Sequence, residues 1–128
     1  MQRQRVTSEA PWEPQIGYCR AVRVGSHVFV SGTVSVDQEG KIVGQGDPYL
    51  QAKHILEIIR TALEGLGGAL SDVVRTRIYL ATFNDLDEVS RAHREAFAAF
   101  PPANTIHEVP RLIDPAMRVE IEADAFIG

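Results

Sequence analysis

The closing stretch RVEIEADAFI constrains the fold more than any other part of the chain. Val119, Ile121, Ala123, Ala125 and Ile127 alternate with Arg118, Glu120, Glu122, Asp124 and Phe126, the period-two pattern of a β-strand with two unlike faces. One face suits a layer of helices, and the other carries three carboxylates. A strand of this kind belongs to a sheet whose helices lie on one side only. In an antiparallel sheet the second face can stay in water. The alternative is that it meets other subunits, where its charges must find partners because unpaired burial is costly.

The preceding segments supply the helices and the remaining strands. CRAVRVG and HVFVSGTVSV, rich in Val and separated by Gly25-Ser26, predict a β-hairpin. DQEGKIVGQGD reads as a turn, a short strand and a loop. Asp47-Pro48 sets a cap and a first-turn proline ahead of Leu50, Ile55, Ile59, Ala62, Leu63 and Leu66, which recur at helical spacing until Gly67-Gly68. VVRTRIYLA predicts a half-buried strand, with Val74, Thr76, Ile78 and Leu80 on one side and Arg75, Arg77 and Tyr79 on the other. Asp85 with Glu88 resembles a capping box for a second helix with Leu86, Val89, Ala92, Ala96 and Phe97 as its apolar side, and Pro101-Pro102 ends it. ANTIHEV then opens a further strand. The beginning, through Pro11, Trp12 and Pro14, reads as loose. The order β-β-β-α-β-α-β-β implies a single α+β domain over residues 1–128, with two helices on one side of the sheet.

Composition narrows the function classes. At 128 residues and 45% hydrophobic, the chain can build one core and not two. A net charge of −4 with singly scattered Lys and Arg argues against nucleic acid as a partner. The sole cysteine, Cys19, forms no internal disulfide, and MQRQRVTSEAP lacks the apolar stretch of a signal peptide, which together fit a reducing cytoplasm. No apolar run approaches the roughly 20 residues of a membrane span. P-loop, GxGxxG, GxSxG and HExxH motifs are absent. His27, His54, His93 and His107 fall on different elements, so neither a metal nor a cofactor is expected. Cys19 and Ser31 are the nucleophilic residue types to consider. The plainer readings are a small strand residue and a hydroxyl beside a glycine that permits close approach.

GYCRAV at Gly17 to Val22, VFVSGTV at Val28 to Val34, QAKHILEIIRTALEGLGG, DVVRTRIYL, PANTIHEVPRL and VEIEADA, taken in order, resemble the Rid family. These are the reactive intermediate deaminases, also called YjgF-like or endoribonuclease L-PSP. The resemblance covers nearly the whole chain. It implies a chorismate mutase-like α+β fold, a mixed sheet of about six strands, and a homotrimer with three small-molecule clefts between neighbouring subunits. It also implies hydrolysis of 2-imino or enamine acids to 2-keto acids and ammonia. By that resemblance Glu120 is the glutamate that holds the attacking water, Tyr18 lines the cleft and Gly32 lies beside the ligand.

Two positions depart from the family pattern. After Pro-Ala, active members carry an arginine whose fork matches the substrate carboxylate; this chain carries Asn104. Its amide offers two donors and one acceptor without charge, which suits a neutral carbonyl, amide or hydroxyl, or simply local backbone. Loss of a charge-assisted contact to a desolvated carboxylate costs roughly 2–5 kcal/mol, so acid-imine deamination is expected to be weak or absent. Arg20 stands where a neutral residue is common. It is either a surface or salt-bridged residue, or it supplies the missing positive charge to the ligand. Two functions follow: a hydrolase of imine or enamine intermediates, or a small-metabolite-binding module without turnover. RNA cleavage fits the acidic composition poorly.

Overall fold

The computed structural model describes residues 2–128. One six-stranded sheet runs in the order β1 (Arg3–Val6), β2 (Ala21–Val24), β3 (His27–Val34), β6 (Val119–Phe126), β4 (Val73–Leu80), β5 (Ala103–Glu108). Every neighbouring pair is antiparallel except β4 and β5, which are joined by a helical crossover and run parallel. The closing strand thus lies inside the sheet, paired on both edges. Helices α2 (Pro48–Gly65) and α3 (Leu86–Phe97) cover one face. The α+β, chorismate mutase-like expectation is met by this arrangement.

The alternation in β6 is realised residue by residue. Val119, Ile121, Ala123 and Ala125 are buried beneath the helices with Ile55, Ile59, Leu63 and Val89. Glu122 and Asp124 face the open side, where Arg77 lies 3.9 Å and 3.4 Å from their carboxylates and the Tyr79 hydroxyl donates to Glu122. Short cross-strand links of this kind hold the charges in register.

Five local expectations are corrected. The N-terminal segment is ordered: β1 pairs with β2, and a short helix α1 (Trp12–Ile16) follows. RQRV is polar, so it carries no burial pattern that could announce a strand; the ladder and the Arg20 N–H donating to the Val6 carbonyl at 2.9 Å hold it. The short strand expected within DQEGKIVGQGD is a single bridge between Val36 and Ile42. Val74 is exposed, because a bulge opposite Asp124 and Ala125 resets the alternation of β4 before Arg75. Leu50 is exposed too, since the first turn of α2 lies beside the Gly44 loop rather than over the sheet. Gln51 is buried in its place, donating to the Gly44 and Ala116 carbonyls and accepting from the Arg118 N–H at 2.8 Å.

The fifth concerns Asp85, which does not cap α3 with its side chain. Its carboxylate receives both Nε and Nη2 of Arg118, at 2.9 and 2.8 Å. A bidentate charge-assisted pair outcompetes a single amide cap. Asp47, by contrast, caps α2 as the sequence indicates, accepting from the Leu50 N–H at 3.0 Å.

Candidate ligand site

Arg20 leads into β2, and its side chain is 4% exposed. Its Nε lies 3.2 Å from Ser8 Oγ and 3.3 Å from Glu13 Oε2. Nη1 donates to the Gly32 carbonyl at 2.6 Å and to Thr33 Oγ1 at 3.0 Å. Nη2 donates to Glu13 Oε2 at 3.2 Å and to the Tyr18 hydroxyl at 3.4 Å. The donors of the guanidinium are therefore occupied by the protein, and the salt-bridged reading describes Arg20. Glu13 also accepts from the Thr7 and Ser8 hydroxyls, both at 2.6 Å. Burial pushes its pKa up, but the Ser8 and Thr7 hydrogen bonds and the Arg20 charge outweigh burial and hold it below the ordinary value.

Glu120 projects from β6 across Gly32. A Cβ at Gly32 would fall 2.6 Å from Glu120 Oε2, so only glycine leaves that carboxylate its place. Burial raises the Glu120 pKa, the Arg20 charge opposes the rise and the Glu122 charge adds to it. Tyr18, Arg20, Gly32 and Glu120 border one cavity of about 810 Å³, which extends past Trp12 to the outer side of α2. Four of the expected site residues are thus gathered by the fold. Glu9, Asp37, Glu39 and Glu57 also line it, an acidic wall that disfavours phosphate.

Asn104 is not among them. It sits on β5 opposite Thr76 of β4, and its Nδ2 donates to Thr76 Oγ1 at 3.0 Å. Thr76 is fully buried and its Oγ1 lies 2.9 Å from His93 Nε2 on α3. This places the Asn104 side chain on the helix face of the sheet, in a depression of about 300 Å³ shared with Ser90, His93, Arg94 and Pro102. Glu120 belongs to the opposite face: it pairs with Tyr79 across β4, and Tyr79 pairs with His107, the two rings stacking at 5.9 Å. Asn104 and Glu120 are therefore two strands apart on opposite faces. His107 lies on the Tyr79 side, away from Asn104.

Neither nucleophilic residue type is poised for chemistry. The Ser31 hydroxyl donates to the Cys19 carbonyl at 2.7 Å, and the Cys19 thiol to the Ala21 carbonyl at 3.4 Å. Among the described residues no three His, Cys, Asp or Glu side chains gather to hold a metal ion, and no helix is long and apolar enough to cross a membrane. Sequence reasoning missed Glu13, Thr76 and His93. Glu13 lies in the stretch read as loose, while Thr76 and His93 are connected only by the packing of α3 on β4.

The family model described as endoribonuclease L-PSP matches residues 7–127. The chain belongs to that family. Its relatives include a "RutC family protein" of Pyrococcus abyssi, 35% identical over 94% of this chain and 93% of that one. The Acinetobacter baylyi protein named 3-aminoacrylate deaminase RutC is 29% identical over 99% of this chain and 100% of its own. Rv2704 of Mycobacterium tuberculosis, a YjgF/YER057c/UK114 family protein of solved structure, is 40% identical. It superposes with a TM-score of 0.88 over 98% of this chain and 100% of that one. The strand order and one-sided helices above are thus the fold of the endoribonuclease L-PSP family.

Proposed function

We propose that this family member hydrolyses small imine or enamine intermediates in clefts shared between neighbouring copies of a homotrimer. Glu120 acts on the attacking water, and the substrate is held without a dedicated guanidinium. The observation that carries this reading is the Glu120 carboxylate, drawn up in pKa by burial and seated over Gly32 at the cavity wall. A carboxylate of that kind can accept a proton from water and return it to a leaving amine. Each copy supplies Tyr18, Gly32 and Glu120 to one cleft, and Asn104 to another. The similarity to a 3-aminoacrylate deaminase supports the reaction class.

Acid imines are poor substrates under this reading, because Arg20 is saturated by Glu13, Gly32 and Thr33 and position 104 carries a neutral amide. The same occupancy favours the second reading, a cleft that binds a metabolite without turning it over. Ammonia release from 2-iminobutyrate generated in situ, compared with release from a neutral enamine, separates the two. Faster release than buffer from the neutral substrate, lost in Glu120→Gln, supports the hydrolase. Release equal to buffer from both substrates eliminates it.

A further inference from the structure

The seat of Glu120 is held by one guanidinium. β3 slips register against β6 between Val30 and Thr33, so that Ser31 and Gly32 stand together opposite Glu122. A bulge of this kind disrupts the ladder locally and leaves backbone groups in need of other partners. Arg20, at the start of β2, supplies them. Its Nη1 donates to the Gly32 carbonyl at 2.6 Å and to Thr33 Oγ1 at 3.0 Å, and Thr33 Oγ1 donates in turn to the Ser31 carbonyl at 2.8 Å. Three consecutive residues of the bulge are thereby tied to one side chain. The rest of the fork is fixed by Glu13 Oε2, 3.3 Å from Nε and 3.2 Å from Nη2. Gly32 is also the residue over which the Glu120 carboxylate lies, so close that a Cβ there would fall 2.6 Å from Oε2. A single residue, Gly32, therefore stands between the Arg20 contact and the Glu120 contact.

We propose that Arg20 is the positioning residue of this site: held by Glu13, it fixes the β3 bulge on which the Glu120 carboxylate rests and presents a permanent positive charge to that carboxylate across Gly32. The saturated fork has no donor left for a substrate, yet its charge still acts at a distance. Burial and the Glu122 charge, two residues along β6, both disfavour the ionised Glu120 carboxylate, and the Arg20 charge opposes them. The remaining neighbours do not replace it. Tyr79, paired with Glu120 across β4, commits its hydroxyl to Glu122, and Arg77 lies against Glu122 and Asp124. On the β3 side Glu120 meets Gly32 and is paired with Val34, neither of them charged. A guanidinium suits this task because it does not deprotonate, so the counter-charge is constant while Glu120 gains and loses its proton. This deepens the hydrolase reading by naming what governs its base, and rests on Glu120 being that base.

The titration midpoint of the Glu120 side-chain carboxyl, followed by carbon-13 NMR in the intact protein, tests this without any substrate. The result therefore stands whether or not imines are hydrolysed. In Arg20→Met the midpoint should rise by about half a pH unit or more, because the counter-charge is gone while burial remains. A midpoint that falls toward the ordinary 4.5, as a seat merely loosened and wetted would give, overturns the proposal, and so does one that stays in place. Arg20→Lys keeps a charge without the fork and should show a smaller rise; a rise as large as that of Arg20→Met counts against the charge. Where Arg20→Met does not fold, Glu13→Leu combined with Arg20→Met carries the same prediction without a buried unpaired carboxylate. Ser31→Ala is the control. It removes the hydroxyl bond to the Cys19 carbonyl in the same bulge and moves no charge, so the Glu120 midpoint should not change. A rise matching that of Arg20→Met would also overturn the proposal.

Discussion

At the scale of single residues, the proposed chemistry rests on Glu120. Its folded pKa lies above the ordinary 4.5 because burial penalises the charged form. The carboxylate needed as base is therefore depleted at pH 4.5 and fills as pH rises through the elevated value. Hydrolysis should climb with pH across a window above 4.5 and then level off, and the pH–rate profile of kcat/KM reads it directly. Glu120→Gln should lose that limb together with about 100-fold or more of the rate. Gly32→Ala supplies a second test. The added methyl meets the far end of a flexible side chain, so the melting temperature should move little while turnover falls, as the carboxylate is driven from its seat.

Among elements, the Glu13–Arg20 pair carries the most weight. It ties α1 and the Ser8 turn to the start of β2 and to the bulge of β3 around Gly32 and Thr33. Arg20→Met leaves Glu13 buried without its cation, and should cost roughly 3–5 kcal/mol in denaturant unfolding. Replacing both, as Glu13→Leu with Arg20→Met, should recover much of that loss if the pair positions elements rather than adding net stability. The sign of the acid response follows from Glu13. Its folded pKa lies below the ordinary 4.5, so its stabilising contribution is complete above that value and is lost as pH falls through the lowered one. His93 contributes on the same side. With a folded pKa below the ordinary 6.5, the unfolded chain binds the extra proton first. Stability should begin to fall as pH drops below about 6.5, a component absent from His93→Gln.

For the whole molecule, the opposed orientations of Asn104 and Glu120 lead to a prediction about assembly. If the cleft is shared, Glu120→Gln and Asn104→Leu are each impaired, yet one contributes an intact Asn104 and the other an intact Glu120. Co-refolding the two in equal amounts should restore about a quarter of the native clefts, as random mixing in a ring dictates. Activity remaining at the average of the separate variants would show that both groups act within one copy. Light scattering of the unsubstituted protein should report three copies, with the open face of the sheet, its exposed Phe29 and Phe126 included, turned toward its neighbours.

The sequence alone determined the elements that local physics controls. The two-faced closing strand, the Asp47 cap and the helical spacing from Ile55 to Leu66 follow from side-chain periodicity and turn chemistry, which act over a few residues. The order of GYCRAV, VFVSGTV and VEIEADA led Tyr18, Gly32 and Glu120 to be expected at one cleft, and the three border one cavity. Tertiary structure decided what depends on partners far along the chain. Asp85 surrendered its cap to Arg118, 33 residues away. Arg20 found Glu13 in a segment whose polar strand gives no burial pattern. A bulge, invisible to simple alternation, exposed Val74. The face to which Asn104 points was set by the parallel pairing of β5 with β4 and by α3 packing over Thr76. Periodicity fixes which side chains share a face, but only packing fixes what that face meets.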